Sequence, residues 1–443
     1  MSPSLAAIRS KRWEQQNPRK ETDLTRHLRT LPIRWLALLV AAGSSFIPAF
    51  AQPVPLEDPV RVNQTVAGSQ HEPAVARSAD GTFVVVWVDN SAPVPTIALR
   101  RFASDGSPLG PETPVFQPPS DWCHSPSVAV VASGNAFVTW LWYDATLPGY
   151  RVYGRAYDSS GVALTPPFQV SDSVGDSENS TRVTATAAGI FVAAWEAYVS
   201  GSGTATWARP FDASGNALAP AFEIAPEAGT SYEPALAPSG ADLVATAYVA
   251  YQPGSSTETV EVRRFAPDGS WLGSPFVVAE DEGYGVFVPA IQSGDRDDFV
   301  VAWGLETGFP YSTIPMVEVV GADGTPRGGP VVLGGETYSA IGLARTDDGT
   351  FVAVWESLYG SDVRAFGPTA DPVGATLVLG DPDHGSAQPD LALDSAGNPV
   401  FVFTAWTDDT DEADVYAQRF RSASLLIDGF ESGDTSAWSA TQP

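Results

Sequence analysis

The sequence predicts an all-β protein, a seven-bladed β-propeller of four-stranded antiparallel blades whose ring is closed by an N-terminal strand. Three observations lead there. The string Asp80-Gly-Thr-Phe-Val-Val-Val-Trp87 returns almost unchanged as Asp348-Gly-Thr-Phe-Val-Ala-Val-Trp355. With Trp87 as marker, counterparts follow at Trp140, Trp195, Tyr248, Trp303, Trp355 and Trp406, 51 to 55 residues apart. A near-constant period of this kind marks a repeat architecture. Beyond residue 52 no helical periodicity is visible.

Each repeat has the same grammar. A short segment such as Pro73-Ala-Val-Ala76 or Pro389-Asp-Leu-Ala392 opens it, and an Asp/Gly turn follows. The next segment is apolar at both parities, with Phe83, Val85 and Trp87 on one face and Val84, Val86 and Val88 on the other. A strand apolar on both faces is buried on both. After a longer loop comes a third segment ending in an aromatic, as in Leu99-Arg-Arg-Phe102, then a second tight turn and a short closing strand such as Phe168-Gln-Val170. Four short strands make a small sheet that cannot stand alone with two apolar faces. Stacking seven such sheets around an axis buries both. The period is about half what an immunoglobulin-like domain needs.

The expected repeats run over about 61–115, 116–170, 171–224, 225–278, 279–333, 334–379 and 380–428, within a propeller spanning 52–428. The last repeat lacks a fourth strand after Ala417-Gln-Arg-Phe420. Pro59-Val-Arg-Val62 resembles the fourth strands elsewhere and is expected to complete the seventh blade, with Leu425-Leu-Ile427 as the alternative occupant. Residues 429–443 read as a loosely ordered tail.

Eight of the 24 Lys/Arg lie before residue 52, followed by the apolar run Trp35–Gly43 and the small-residue end Ala49-Phe-Ala51. That order is expected of a signal peptide over residues 1–51, so the protein is expected to be secreted: extracellular, periplasmic or at the cell surface. A retained signal anchor is the alternative. What remains holds 16 Arg, no Lys and 49 Asp/Glu, a formal charge of −33. Such a surface repels nucleic acid and anionic lipid, and no second apolar run suits a membrane span. A monomer is expected. Cys123 is a lone cysteine once the leader is removed, so no intrachain disulfide framework exists and a large apolar core must supply stability.

The pattern Phe-Val-Val-x-Trp followed by Arg-x-Phe-Asp-x-x-Gly is similar to repeats of secreted and surface bacterial β-propeller-like proteins, many of unassigned function. The resemblance covers roughly residues 59–428. It implies architecture rather than activity, because propellers host unrelated functions. The Gly-His and Trp-Asp pairs of WD40 blades are missing, as is the Ser-x-Asp-x-Gly-x-Thr-Trp box of sialidases.

Loops joining strands two to three, and one blade to the next, share one face of a propeller and here are long and varied, the usual place for function on a rigid scaffold. The candidate ligand-binding residues fall there: His71, Glu72, Asp121, Trp122, His124, Asn179, Tyr232, Glu233, Tyr284, Phe287, Tyr338 and His384. His71, His124, Asn179, Tyr232 and Phe287 take equivalent places in successive repeats, which would set them on a ring at the channel mouth, suited to an asymmetric sugar or peptide. Polar residues also simply populate exposed loops.

No cofactor is assigned. His71 and His124 with Glu72 or Asp121 would ligate a metal only if adjacent loops converge. The run Asp408–Asp414 offers oxygens for Ca²⁺ but lacks the Asp-x-Asp-x-Asp-Gly spacing. Cys123 beside His124 does not read as a nucleophile, since sequence neighbours rarely point together. Arg100, Arg155, Arg209, Arg263 and Arg364 sit two residues before the third-strand aromatic, and five repeats of one feature read as structural pairing. The function expected is a non-catalytic binding propeller with a carbohydrate or protein ligand on the long-loop face. The alternatives are an extracellular polysaccharide hydrolase or lyase using acidic residues at the same mouth, and a structural surface module.

Overall fold

In the segment Phe83–Asp89 every residue from Phe83 to Val88 is buried, as two apolar faces demand. The computed structural model describes residues 50–119, 122–143, 149–171, 175–251, 254, 257–281, 285–294, 298–307, 312–337, 341–358, 360–380, 385–406 and 412–424, with the backbone alone at 50–52, 423 and 424. The described elements are all strands. No helix among them is long and apolar enough to cross a membrane.

Seven antiparallel sheets follow one another along the chain, at 70–116, 123–169, 177–223, 230–280, 286–332, 341–379 and 386–424. They are called blades 1 to 7 here. In each of the first six, four strands pair in simple sequence order, forming a seven-bladed propeller together with the last. The first strands of all seven blades line one central cavity, so they are innermost. Apolar clusters lie between blades: Val84, Val86 and Val88 of blade 1 pack with Val138 and Trp140 of blade 2. The opposite face of the same strand, with Val85 and Trp87, packs on Val400, Val402 and Val415 of blade 7.

The seventh blade takes its outer edge from the N-terminal side of the chain. Val60 pairs with Ala417 and Arg61 with Tyr416, and the Val62 N–H donates to Val415 O at 2.8 Å. Asn63 locks the register: its Oδ1 accepts the Val415 N–H at 2.9 Å, and its Nδ2 donates to Asp414 at 2.6 Å. Arg61 adds an ion pair to Asp414 at 3.4 Å. Pro59–Val62 is therefore the closing strand. Phe50–Pro55 also pairs with Ala413–Ser424, from Phe50↔Ser424 to Pro55↔Phe420. Leu425-Leu-Ile427, the Leu/Ile alternative, lies outside the described residues, as do residues 1–49 and the tail.

One marker is corrected. Asp390 pairs with Val402 where Ala74 pairs with Val86, so the counterpart of Trp87 is Phe403, fully buried. Trp406 lies at the strand end and is 42% exposed. The slot between blades selects a large aromatic by volume, not indole in particular, so a search for Trp finds the wrong residue.

Four of the five repeated arginines are interblade clamps, while Arg364 donates to Gly374 O of its own blade at 3.1 Å. Nη1 of Arg100, Arg155, Arg209 and Arg263 donates to the carbonyls of Val62, Val115, Val170 and Ile224, at 2.7 to 2.9 Å. Each acceptor belongs to the outer edge of the preceding blade, and for Arg100 it is the closing strand. All five guanidinium groups also stand over aromatic rings, those of Phe102, Tyr157, Phe211, Trp271 and Phe366, at 4.1 to 5.9 Å. The tight turns are held by aspartates. Asp80 Oδ1 accepts the N–H of Thr82 at 2.9 Å across Gly81, whose φ of 86° a side chain would strain.

Hydrogen bonds to charged groups contribute about 1.5–3 kcal/mol. Arg100→Met is therefore expected to lower unfolding stability by about that amount, because it releases the closing strand from blade 1. Denaturant unfolding monitored by tryptophan fluorescence checks it; an unchanged midpoint would mean the clamp does not hold the ring.

Candidate functional site

The innermost strands carry a common irregularity. Glu72, Ser125, Ser180, Glu233, Val288 and Gln388 all have φ between 48° and 53°, and at each the strand register slips by an extra residue. In five of these six the next residue is proline. The bulge turns the strand end and presents a backbone N–H toward the neighbouring blade. Side chains of the preceding blade accept it: Gln388 takes the N–H of Glu72 at 2.9 Å, and Glu72 that of Ser125 at 2.6 Å. Glu233 takes that of Val288 at 2.5 Å. Glu196 and Glu356, each following a marker Trp, cap Glu233 and Gln388 at 3.0 Å.

His71, His124, Asn179, Tyr232 and Phe287 do lie at equivalent register, each just before the bulge. They belong to the innermost strands themselves rather than to the interblade loops, because pairing with the second strand continues past the bulge to the strand tip. Asp121, Tyr284, Tyr338 and His384 lie outside the described residues.

Two clusters form at this mouth. On blades 1 and 2, His71 Nε2 is 2.6 Å from the Asn90 amide, and its Nδ1 is 3.7 Å from Glu72. His124 Nδ1 bonds Ser125 Oγ at 2.9 Å, and its ring meets Tyr150 edge-on at 4.8 Å. Tyr150 in turn meets Tyr143, and the Tyr143 N–H donates to Trp122 O at 2.9 Å. Trp122 is 63% exposed. Burial lowers the pKa of both histidines, against the opposing pull of Glu72, and the neighbouring His71 lowers that of His124 further. Both are thus neutral hydrogen-bonding rings at neutral pH.

On blade 4 the hydroxyls of Tyr232 and Tyr251 both donate to Glu258 Oε1, that of Tyr251 at 2.6 Å. Glu258 Oε2 accepts the N–H of Val286 on blade 5 at 3.0 Å. Burial and the Glu258 carboxylate push the Tyr232 phenol up, so it is a proton donor throughout the ordinary pH range. Burial raises the Glu233 carboxyl as well. Asn179 is exposed, and Phe287 covers Gly304, where a Cβ would come within 3.0 Å of its ring.

Below the bulges lies a cavity of about 780 Å³ along the axis. One register position lines it from every blade, and its occupants are Ala74, Ser127, Arg182, Ala235, Ala290, Gly342 and Asp390. Asp390 is half-buried, desolvation by the surrounding protein raises its pKa, and its Oδ2 accepts the N–H of Val75 at 2.9 Å. A second cavity of about 620 Å³ opens at the other end, beside Arg77 and Arg345. Those arginines pair with Asp394 and Asp298.

Cys123 is buried beneath the mouth, donates to Pro95 O at 3.1 Å and has its thiol pushed up to about 12 by burial. It is inert as a nucleophile at neutral pH. Among the described residues no three His, Cys, Asp or Glu side chains gather as a metal ion would need. Asp414, from the acidic run, is committed to Asn63 and Arg61. Asn90, Tyr143, Tyr150, Tyr251, Glu258 and Arg182 were not singled out in sequence. Arg182 carried a readable signal, a lone cation where the other repeats have small residues or Asp.

No family model matches the sequence, and no curated protein matches it. The fold does have solved counterparts. A protein of unknown function from Dyadobacter fermentans DSM 18053 superposes with a TM-score of 0.52 at 11% identity, over 85% of this chain and 100% of that one. A polysaccharide lyase of family PL25, an ulvan lyase bound to -[GlcA(1-4)Rha3S]-, superposes with a TM-score of 0.50 at 10% identity, covering 85% and 98%. Likeness at this identity concerns the propeller alone.

Two outcomes are expected. Because the folded state disfavours protonated His71 and His124, the unfolded chain binds more protons just below the ordinary value of 6.5. Stability contributed by the neutral rings is therefore full above that value and declines as pH falls through it. Thermal scans from pH 8 to 5 should show the decline in the native chain and a shallower one in a His71→Gln/His124→Gln variant. Val288, β-branched at φ 48°, is strained by about 1–2 kcal/mol. Val288→Asn, which tolerates that region, should raise the denaturation midpoint.

Proposed function

We propose that the protein is a secreted binding propeller whose mouth, at blades 1 and 2, holds a carbohydrate. The observation that carries this reading is the exposed Trp122 beside Tyr143 and Tyr150, next to the His71, Asn90, Glu72 and His124 group. An aromatic face covers the apolar side of a sugar ring, while amide, imidazole and carboxylate groups take its hydroxyls. His71, Glu72 and His124 stand on strands rather than on loops, with Trp122 and Asn90 directly at strand ends, which suits preorganised binding. Several acids at the mouth are committed to backbone N–H groups, which favours binding over a hydrolytic carboxylate pair.

Catalysis on a polysaccharide is the second reading, favoured by the neutral histidines beside a carboxylate, a pairing able to move a proton. The PL25 likeness supports it only as a fold-level analogy.

The test is a glycan panel against the full chain, with and without Ca²⁺, followed by calorimetry on any hit. Trp122→Ala, an exposed substitution, should weaken a bound glycan about tenfold or more, with thermal stability unchanged. Absence of any glycan response removes the binding reading. Release of shortened or unsaturated products, lost in His124→Ala, would establish the catalytic one.

A further inference from the structure

Of the seven residues that share the channel-lining register, five are Ala, Ser or Gly, and only Arg182 and Asp390 carry a charge. Arg182 is exposed within the cavity. Its guanidinium makes one hydrogen bond, Nη1 to the Thr181 carbonyl at 2.9 Å, and no ion pair among the described residues. That sets it apart from the other two cavity-lining arginines, Arg77 and Arg345, each fixed to a carboxylate. Two acids are within electrostatic range of Arg182, Glu233 on the next blade and Asp390 on blade 7. Both are already accepting backbone N–H groups, those of Val288 and Val75. The small side chains at the other positions leave the lumen open in front of Arg182. A planar fork of donors facing a cavity of about 780 Å³ matches a carboxylate in a way no neutral hydroxyl does. The net charge of the chain opposes an anion at long range, but screening confines that field to about 8 Å at physiological salt.

We propose that Arg182 anchors a carboxylate of the ligand, so that the glycan taken at this mouth is an acidic one, built from uronate residues. This rests on the carbohydrate reading above and narrows it. Ser127, the register equivalent of Arg182, lies five residues along the strand from Trp122, so the ligand is an oligomer with one ring at the Trp122 rim and a carboxylate of a deeper ring in the channel. A charge-assisted bond of this kind is expected to contribute about tenfold to a hundredfold in affinity.

The experiment compares oligogalacturonates and alginate oligosaccharides with the same oligomers whose carboxyls are reduced to alcohols, using calorimetry on the full chain, on Arg182→Gln and on Arg182→Lys. The expected result is that the native chain prefers the acidic oligomers at least tenfold. Arg182→Gln should abolish that preference while leaving the weaker binding of reduced oligomers and the melting temperature unchanged, and Arg182→Lys should restore part of it. Equal binding of acidic and reduced oligomers, or a preference that survives Arg182→Gln, overturns the proposal and leaves the carbohydrate reading standing. Binding of neither panel overturns the proposal, and the carbohydrate reading falls with it only where the wider glycan panel is silent as well. A response to Glu-rich peptides alone, lost in Arg182→Gln, overturns the uronate assignment in favour of a protein ligand.

Discussion

Everything in this architecture follows from a second strand that is apolar on both faces. One such strand per repeat forces each small sheet to be covered on both sides, and the only coverings supplied are its neighbours. Trp87, Trp140, Trp195, Tyr248, Trp303, Trp355 and Phe403 fill the resulting slots, and six of the seven are fully buried. A chain of this kind has no stable end, since a terminal blade would leave one apolar face open. Closure by Val60–Arg61 on the last blade, clamped from blade 1 by Arg100, removes the problem.

Closing the ring creates a second demand at the axis. The innermost strands have unpaired edges, and backbone N–H groups there need acceptors. The bulges at Glu72, Ser125, Glu233, Val288 and Gln388 direct these donors sideways, and carboxylates or amides of the preceding blade receive them. Much of the acidity at the mouth is therefore structural. Among the described residues, the groups at the mouth not used to cap a bulge include the histidines, the tyrosine and tryptophan rims, and Arg182. Function, on this view, occupies what the packing does not use.

The same logic explains which readings of the sequence carried over. Blade number, strand order, the closing segment and the structural role of the repeated arginines were legible because they recur, and recurrence shows in a linear chain. The equivalence of His71, His124, Asn179, Tyr232 and Phe287 was legible for the same reason. Their setting in strands was not, because a bulge before proline looks like a loop when only residue types are seen. The misplaced Trp406 has a similar origin: register is a pairing between strands, and a sequence records only one partner at a time.

The amino-acid order by itself determined the period, the two-faced strands and the excess of acid, since each is a property of neighbouring residues. Only the tertiary structure decided that Glu72 and Glu233 cap the next blade, that Tyr150 meets His124, and that Arg182 lines the channel with no ion pair among the described residues. Those contacts join residues 26 to 55 positions apart, and their geometry exists only once seven sheets share one axis.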